Sequence, residues 1–214
     1  MTTTAVMLLA VAAIAATIDW WSVATDRLGV EFLAKPAVII CLIGVALAIE
    51  IEPGGASNVE RGIIIAALGA SLVGDVVLMT PDARFEAGLA AFLVAHIFYI
   101  AALAPDFVIG PGLIAGILIV AIGFGVVPQL LAAVRVHGPL ITVAVMTYVV
   151  VVSSMGIVAA GTGLLVTAIG GALFVTSDAL LGWGRFIGPA PGGRVLVHIT
   201  YHVGQAGLVL WLAA

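Results

Sequence analysis

The chain has 214 residues, 64% hydrophobic and only 8% charged, with a mean hydropathy of +1.34. A water-soluble domain carries roughly 25% charged residues, so a soluble globular protein is excluded. The net charge of −4 contains no run of like charge that would recruit nucleic acid, and the lone Cys41 forms no intrachain disulfide.

A hydrocarbon core about 30 Å thick takes roughly 20 apolar residues as a helix. Backbone in lipid must satisfy its own hydrogen bonds. Apolar runs between loop signals predict eight transmembrane helices, near 4–24, 32–50, 62–80, 86–104, 112–133, 139–159, 163–183 and 195–213. The expected fold is all-α, a single integral membrane domain over residues 1–214. The short, alanine-rich start Ala5 to Ile18 is read as a retained first helix. No Lys or Arg precedes it, and Asp19-Trp20-Trp21 follows as an interfacial aromatic anchor. Lys35-Pro36 is read as the opening of the second helix, where proline suits the first turn. Pro- and Gly-containing loops punctuate the chain, as at Glu52-Pro53-Gly54-Gly55 and Gly188-Pro189-Ala190-Pro191-Gly192-Gly193.

This count places Arg27, Lys35, Arg84, Arg135, Arg185 and Arg194 on one side of the membrane and Arg61 on the other. Cytoplasmic loops retain Lys and Arg, so the arginine-rich side is expected in the cytoplasm and both termini outside it.

A weak internal repeat links helices three and four to helices seven and eight. Gly74-Asp75-Val76-Val77-Leu78 precedes Arg84-Phe85 and His96, as Ser177-Asp178-Ala179-Leu180-Leu181 precedes Arg185-Phe186 and His198. The pattern suggests two four-helix halves around a shared site.

The polar residues inside these helices carry the functional signal. Asp75 and Asp178 sit in apolar helices near the arginine-rich side, and a carboxylate at that depth normally faces a bundle interior or a water-filled cavity. His198, Tyr201, His202 and Gln205 stand at i, i+3, i+4 and i+7, one face of the last helix, and such a stripe must look inward. His96 and Tyr99, at i and i+3, form a second wall. Each residue also has a plainer reading: a packing histidine, an interfacial tyrosine, or an ion pair capping a helix. Lys35, Arg84 and Arg185 are placed to hold a lipid phosphate at the cavity mouth, although positive-inside bias alone accounts for them. His198 and His202 have the spacing of a helical metal pair, but Ile199 stands where His-Glu-x-x-His requires Glu. No metal or other cofactor is expected.

Together, these residues resemble the YhhN, or lysoplasmalogenase, family of multi-pass membrane proteins. The matching pieces are Lys35-Pro36; Ser71-Leu72-Val73-Gly74-Asp75-Val76-Val77-Leu78-Met79; Phe85 with Gly88-Leu89; Ala95-His96-Ile97-Phe98-Tyr99; Ser177-Asp178-Ala179-Leu180-Leu181; and Thr200-Tyr201-His202-Val203-Gly204-Gln205. They follow family order over most of the chain. The resemblance implies an eight-helix hydrolase that cleaves the vinyl ether bond of lysoplasmalogens to a fatty aldehyde and a glycerophospho-base. The family's two essential aspartates fall on Asp75 and Asp178.

The chemistry fits these residue types. Vinyl ether hydrolysis needs a proton at the β-carbon, an oxocarbenium-like transition state and water addition. One carboxyl must therefore be protonated and the other ionised, the division of labour of two-carboxylate hydrolases. Asp75 and Asp178 are expected to share this work, with the individual roles open. His202, Tyr201 and His96 tune the pair, and Tyr99, His198, Gln205, Lys35, Arg84 and Arg185 bind the lysophospholipid. The competing reading is a proton-coupled lipid or small-molecule transporter, which needs a path open to both sides. A non-catalytic lipid-binding scaffold is a third reading, which predicts that the last helix tolerates an apolar stripe.

Overall fold

The computed structural model describes residues 1–80, 85–110, 112–114, 116–117 and 126–214. Its helices are α1 (Thr3–Ala24), α2 (Leu28–Ala48), α3 (Asn58–Met79), α4 (Phe85–Leu103), α5 (Val127–Arg135), α6 (Pro139–Gly161), α7 (Leu165–Phe186) and α8 (Gly193–Leu210). Among the described residues, seven helices are long and apolar enough to cross a membrane: α1–α4 and α6–α8. The predicted fifth span, 112–133, is helical at its described residues 112–114, 116–117 and within α5. The chain is an all-helical, multi-pass integral membrane protein, as its composition requires.

Local chemistry fixes the helix ends. Ser57 and Glu60 form a reciprocal capping box at the start of α3. Gly138, at φ +95°, turns the chain into Pro139 at the head of α6. The outer face of α2 exposes Leu33, Ile40 and Leu47 at 74%, 56% and 61%, while Val38, Leu42 and Val45 on its other face are buried. An apolar exterior over an apolar interior is what a hydrocarbon solvent selects.

Glycines set the closest helix contacts. A Cβ on Gly207 would meet Gly170 Cα at 2.7 Å, and one on Gly204 would meet Phe174 N at 2.8 Å. The backbones of α7 and α8 therefore touch, the small-residue contact that binds helices where lipid supplies no hydrophobic drive. Gly74 and Gly88 let α3 and α4 interlock with Phe92 and Leu78. α8 packs on α1, α2 and α7 and brings its polar face into the bundle.

One expectation is corrected. Helix two begins at Leu28, so Pro36 lies inside α2 rather than in its first turn. Proline has no N–H for the Phe32 carbonyl, yet the helix continues through it. Glu31, buried in the first turn, sits at the positive end of the helix dipole. Lys35 is thereby carried about two turns into the bundle.

Candidate active site

Three polar clusters meet beneath the arginine-rich end. In the first, Asp75 on α3 is fully buried, with Oδ1 2.9 Å from Lys35 Nζ. Tyr201 on α8 donates its hydroxyl to Asp75 Oδ2 at 2.7 Å, and Lys35 Nζ lies 5.4 Å from the centre of the Tyr201 ring. One tyrosine thus binds the carboxylate through its hydroxyl and the ammonium through its face. Lys35 points inward to Asp75 rather than out to headgroups.

In the second cluster, Tyr148 on α6 donates to Asp178 Oδ2 at 2.8 Å, and His96 Nε2 on α4 lies 3.1 Å from the same oxygen, off the hydrogen-bond line. His96 Nδ1 is 2.6 Å from the Phe92 carbonyl. A carbonyl only accepts, so Nδ1 carries a proton. His96 Nε2 and Tyr148 thus face Asp178 Oδ2 from two different helices. The clusters also exchange partners: Asp75 of the α3–α4 hairpin takes its tyrosine from α8, and Asp178 of the α7–α8 hairpin takes its histidine from α4.

The third cluster joins the predicted His198 and His202 to residues outside the sequence-based candidates. Asp19, on α1, is fully buried and lies 2.7 Å from His198 Nδ1 through Oδ2. A carboxylate there accepts, so His198 holds its proton on Nδ1 and directs Nε2 toward Glu31 Oε1, 3.9 Å away. Arg194 in turn bonds Glu31 Oε1 at 2.5 Å. Trp20 donates its indole N–H to His202 Nδ1 at 3.1 Å, so the two helix-eight histidines turn to different partners. Tyr99 donates to Gln205 Oε1.

A cavity of about 370 Å³ joins these groups. Lys35, Asp75, Asp178, His198 and Tyr201 line it, with Glu31 and Arg194. Of the remaining candidates, His96 backs Asp178, and His202, Tyr99 and Gln205 form a buried layer away from its lining. Arg185 lies in an adjoining vestibule of about 530 Å³, which shares Leu78, Leu181, Arg194 and Val197 with the cavity. Arg84 lies outside the described residues.

Asp19, Glu31 and Tyr148 were missed by sequence reasoning. Asp19 stands within a predicted apolar helix, the same signal that marked Asp75 and Asp178, but the following Trp20-Trp21 gave it the look of an interface. Tyr148 was the lone aromatic in the apolar run of helix six, a segment without any diagnostic pattern.

Comparison with known proteins gives a consistent picture. The chain is 32% identical over 186 residues to lysoplasmalogenase TMEM86B of Mus musculus, covering 85% of this chain and 74% of that protein. It is 30% identical over 181 residues to lysoplasmalogenase TMEM86B of Homo sapiens, covering 83% and 73%. The Sus scrofa protein of the same name is 30% identical over 175 residues, covering 79% and 71%. No solved structure matches. The YhhN family model matches residues 30–212, which include both aspartates and all three polar clusters except Asp19 and Trp20, and the chain belongs to the YhhN family.

Proposed function

We propose that this protein is a lysoplasmalogenase-type ether hydrolase, cleaving the vinyl ether of a 1-alkenyl lysophospholipid to a fatty aldehyde and a glycerophospho-base. The observation that carries this reading is one cavity bearing two carboxyls in opposite settings. Asp75 faces a lysine, and Asp178 faces His96 and the Tyr148 hydroxyl.

The settings divide the roles. In this mechanism the Asp178–His96 pair supplies a proton to the β-carbon of the vinyl ether, leaving positive charge on the α-carbon and ether oxygen. Asp75, paired with Lys35, stabilises that charge. A carboxylate has about four lone-pair sites; Lys35 and Tyr201 occupy two, leaving room for a water whose proton Asp75 takes as its oxygen adds to the α-carbon. The hemiacetal then returns its hydroxyl proton to the Asp178–His96 pair. Asp75 protonates the departing glycerol oxygen, and both groups are restored. His198, held by Asp19, presents Nε2 to the polar end of the substrate.

Arg185 and Arg194 suit the phosphate, because Lys35 is committed to Asp75. The positive-inside bias puts this mouth at the cytoplasmic face and both termini across the membrane. The test is aldehyde release by the purified protein from a 1-alkenyl lysophospholipid and from its 1-acyl counterpart. Release from the alkenyl lipid alone is expected; release from neither would refute the hydrolase reading.

A further inference from the structure

Beside the polar cavity runs a second, apolar cleft between α5, α6 and α7. Leu130, Val145, Val149, Val152 and Ala179 wall it, and Tyr148 and Asp178 are its polar residues together with Ser153. Asp178 and Leu181 belong to the walls of both spaces. Phe85 and Phe186 lie at its arginine-rich end, edge to face with ring centres 5.5 Å apart, and the Arg185 guanidinium sits 5.0 Å from the Phe85 ring centre.

Gly182 keeps this cleft open. It lies in the interior of α7, four residues after Asp178 and so on the same helix face. Glycine is a poorer helix former than alanine, and here packing does not demand it. A Cβ would make only ordinary contact with Leu130, at 3.9 Å. What the missing side chain leaves is space in the cleft. A longer side chain at 182 would occupy it.

From this we infer that the cleft is the binding site for the aliphatic chain of a single-chain amphiphile whose polar part lies in the Lys35–Asp75 cavity. The occupant follows from continuity: an apolar cleft and a polar cavity share the Asp178 wall, so a ligand filling both has a hydrocarbon chain joined to a polar part at that carboxyl. The inference rests on the hydrolase reading for the identity of the polar part. It adds that chain length is read by α6 and α7, with Gly182 as the residue that sets how much chain fits.

The test uses a lysophosphatidylcholine carrying a diazirine on its chain, photoactivated with the full-length protein in nanodiscs and mapped by mass spectrometry. Labelling at Leu130, Val145 or Val149 is expected, displaced by unlabelled 1-alkenyl lysophospholipid and suppressed by Gly182→Leu. Labelling confined to lipid-facing positions such as Leu33 and Ile40 would overturn the proposal. In turnover, Gly182→Leu should lower the ratio of kcat/KM for a hexadecenyl over a butenyl substrate by about tenfold or more, with Gly182→Ala shifting it less. An unchanged ratio in an active Gly182→Leu protein would also overturn it. Cleft labelling without aldehyde release from any alkenyl lipid would sustain the chain site while refuting the hydrolase reading.

Discussion

Lys35 and Asp75 stand 2.9 Å apart although they arrive on different helices and Asp75 has no exposure at all. Removing one partner of a buried pair leaves an uncompensated charge, at a cost of about 3–5 kcal/mol. Lys35→Met is therefore expected to lower thermal stability in detergent sharply. The double variant Lys35→Met/Asp75→Asn should recover most of that stability without recovering turnover. If the double variant unfolded as readily as Lys35→Met, the ion pair would not be the cause.

Tyr148→Phe removes one hydrogen bond to Asp178 and no bulk. A hydrogen bond to a charged group is worth roughly 1.5–3 kcal/mol, so kcat should fall about 10- to 100-fold with KM little changed. Steady-state kinetics on a single alkenyl lysophospholipid would check this. A change confined to KM would instead assign Tyr148 to substrate binding.

Asp19 acts through His198, so its loss should be felt only where His198 is present. Asp19→Asn is expected to reduce turnover and to let His198 take either tautomer, visible in nitrogen-15 histidine spectra. The pair Asp19→Asn/His198→Gln should be no slower than His198→Gln alone. Additive losses would mean that the two residues serve separate ends.

The contact of α7 with α8 depends on the absence of side chains. Gly207→Leu would drive a Cβ to within 2.7 Å of the Gly170 backbone, and overpacking of that kind costs typically 1–3 kcal/mol. A lowered melting temperature is expected, together with loss of activity, because α8 carries Tyr201 and His198. Unchanged melting would show that the helices separate freely.

The parts of this arrangement that follow a period were legible in the sequence. Hydropathy located the described spans within a few residues, and the inward stripe of His198, Tyr201 and Gln205 followed from spacing alone. Isolated residues were harder. Lys35-Pro36 looked like a helix start because proline favours that position, yet α2 already runs from Leu28 and tolerates the lost hydrogen bond. Asp19 and Tyr148 belong to the site only through partners 179 and 30 residues away, and such distant pairings leave no local pattern. The sequence also left the two aspartates equivalent. Their difference comes from Lys35 and His96, which tertiary packing delivers.

The proposed reaction needs both carboxyls. Aldehyde release from a 1-alkenyl lysophospholipid should be compared among the wild-type protein and folded Asp75→Asn and Asp178→Asn variants. Release should fall by a factor of about 10² or more in each; substantial turnover in either folded variant would rule out a two-carboxyl mechanism.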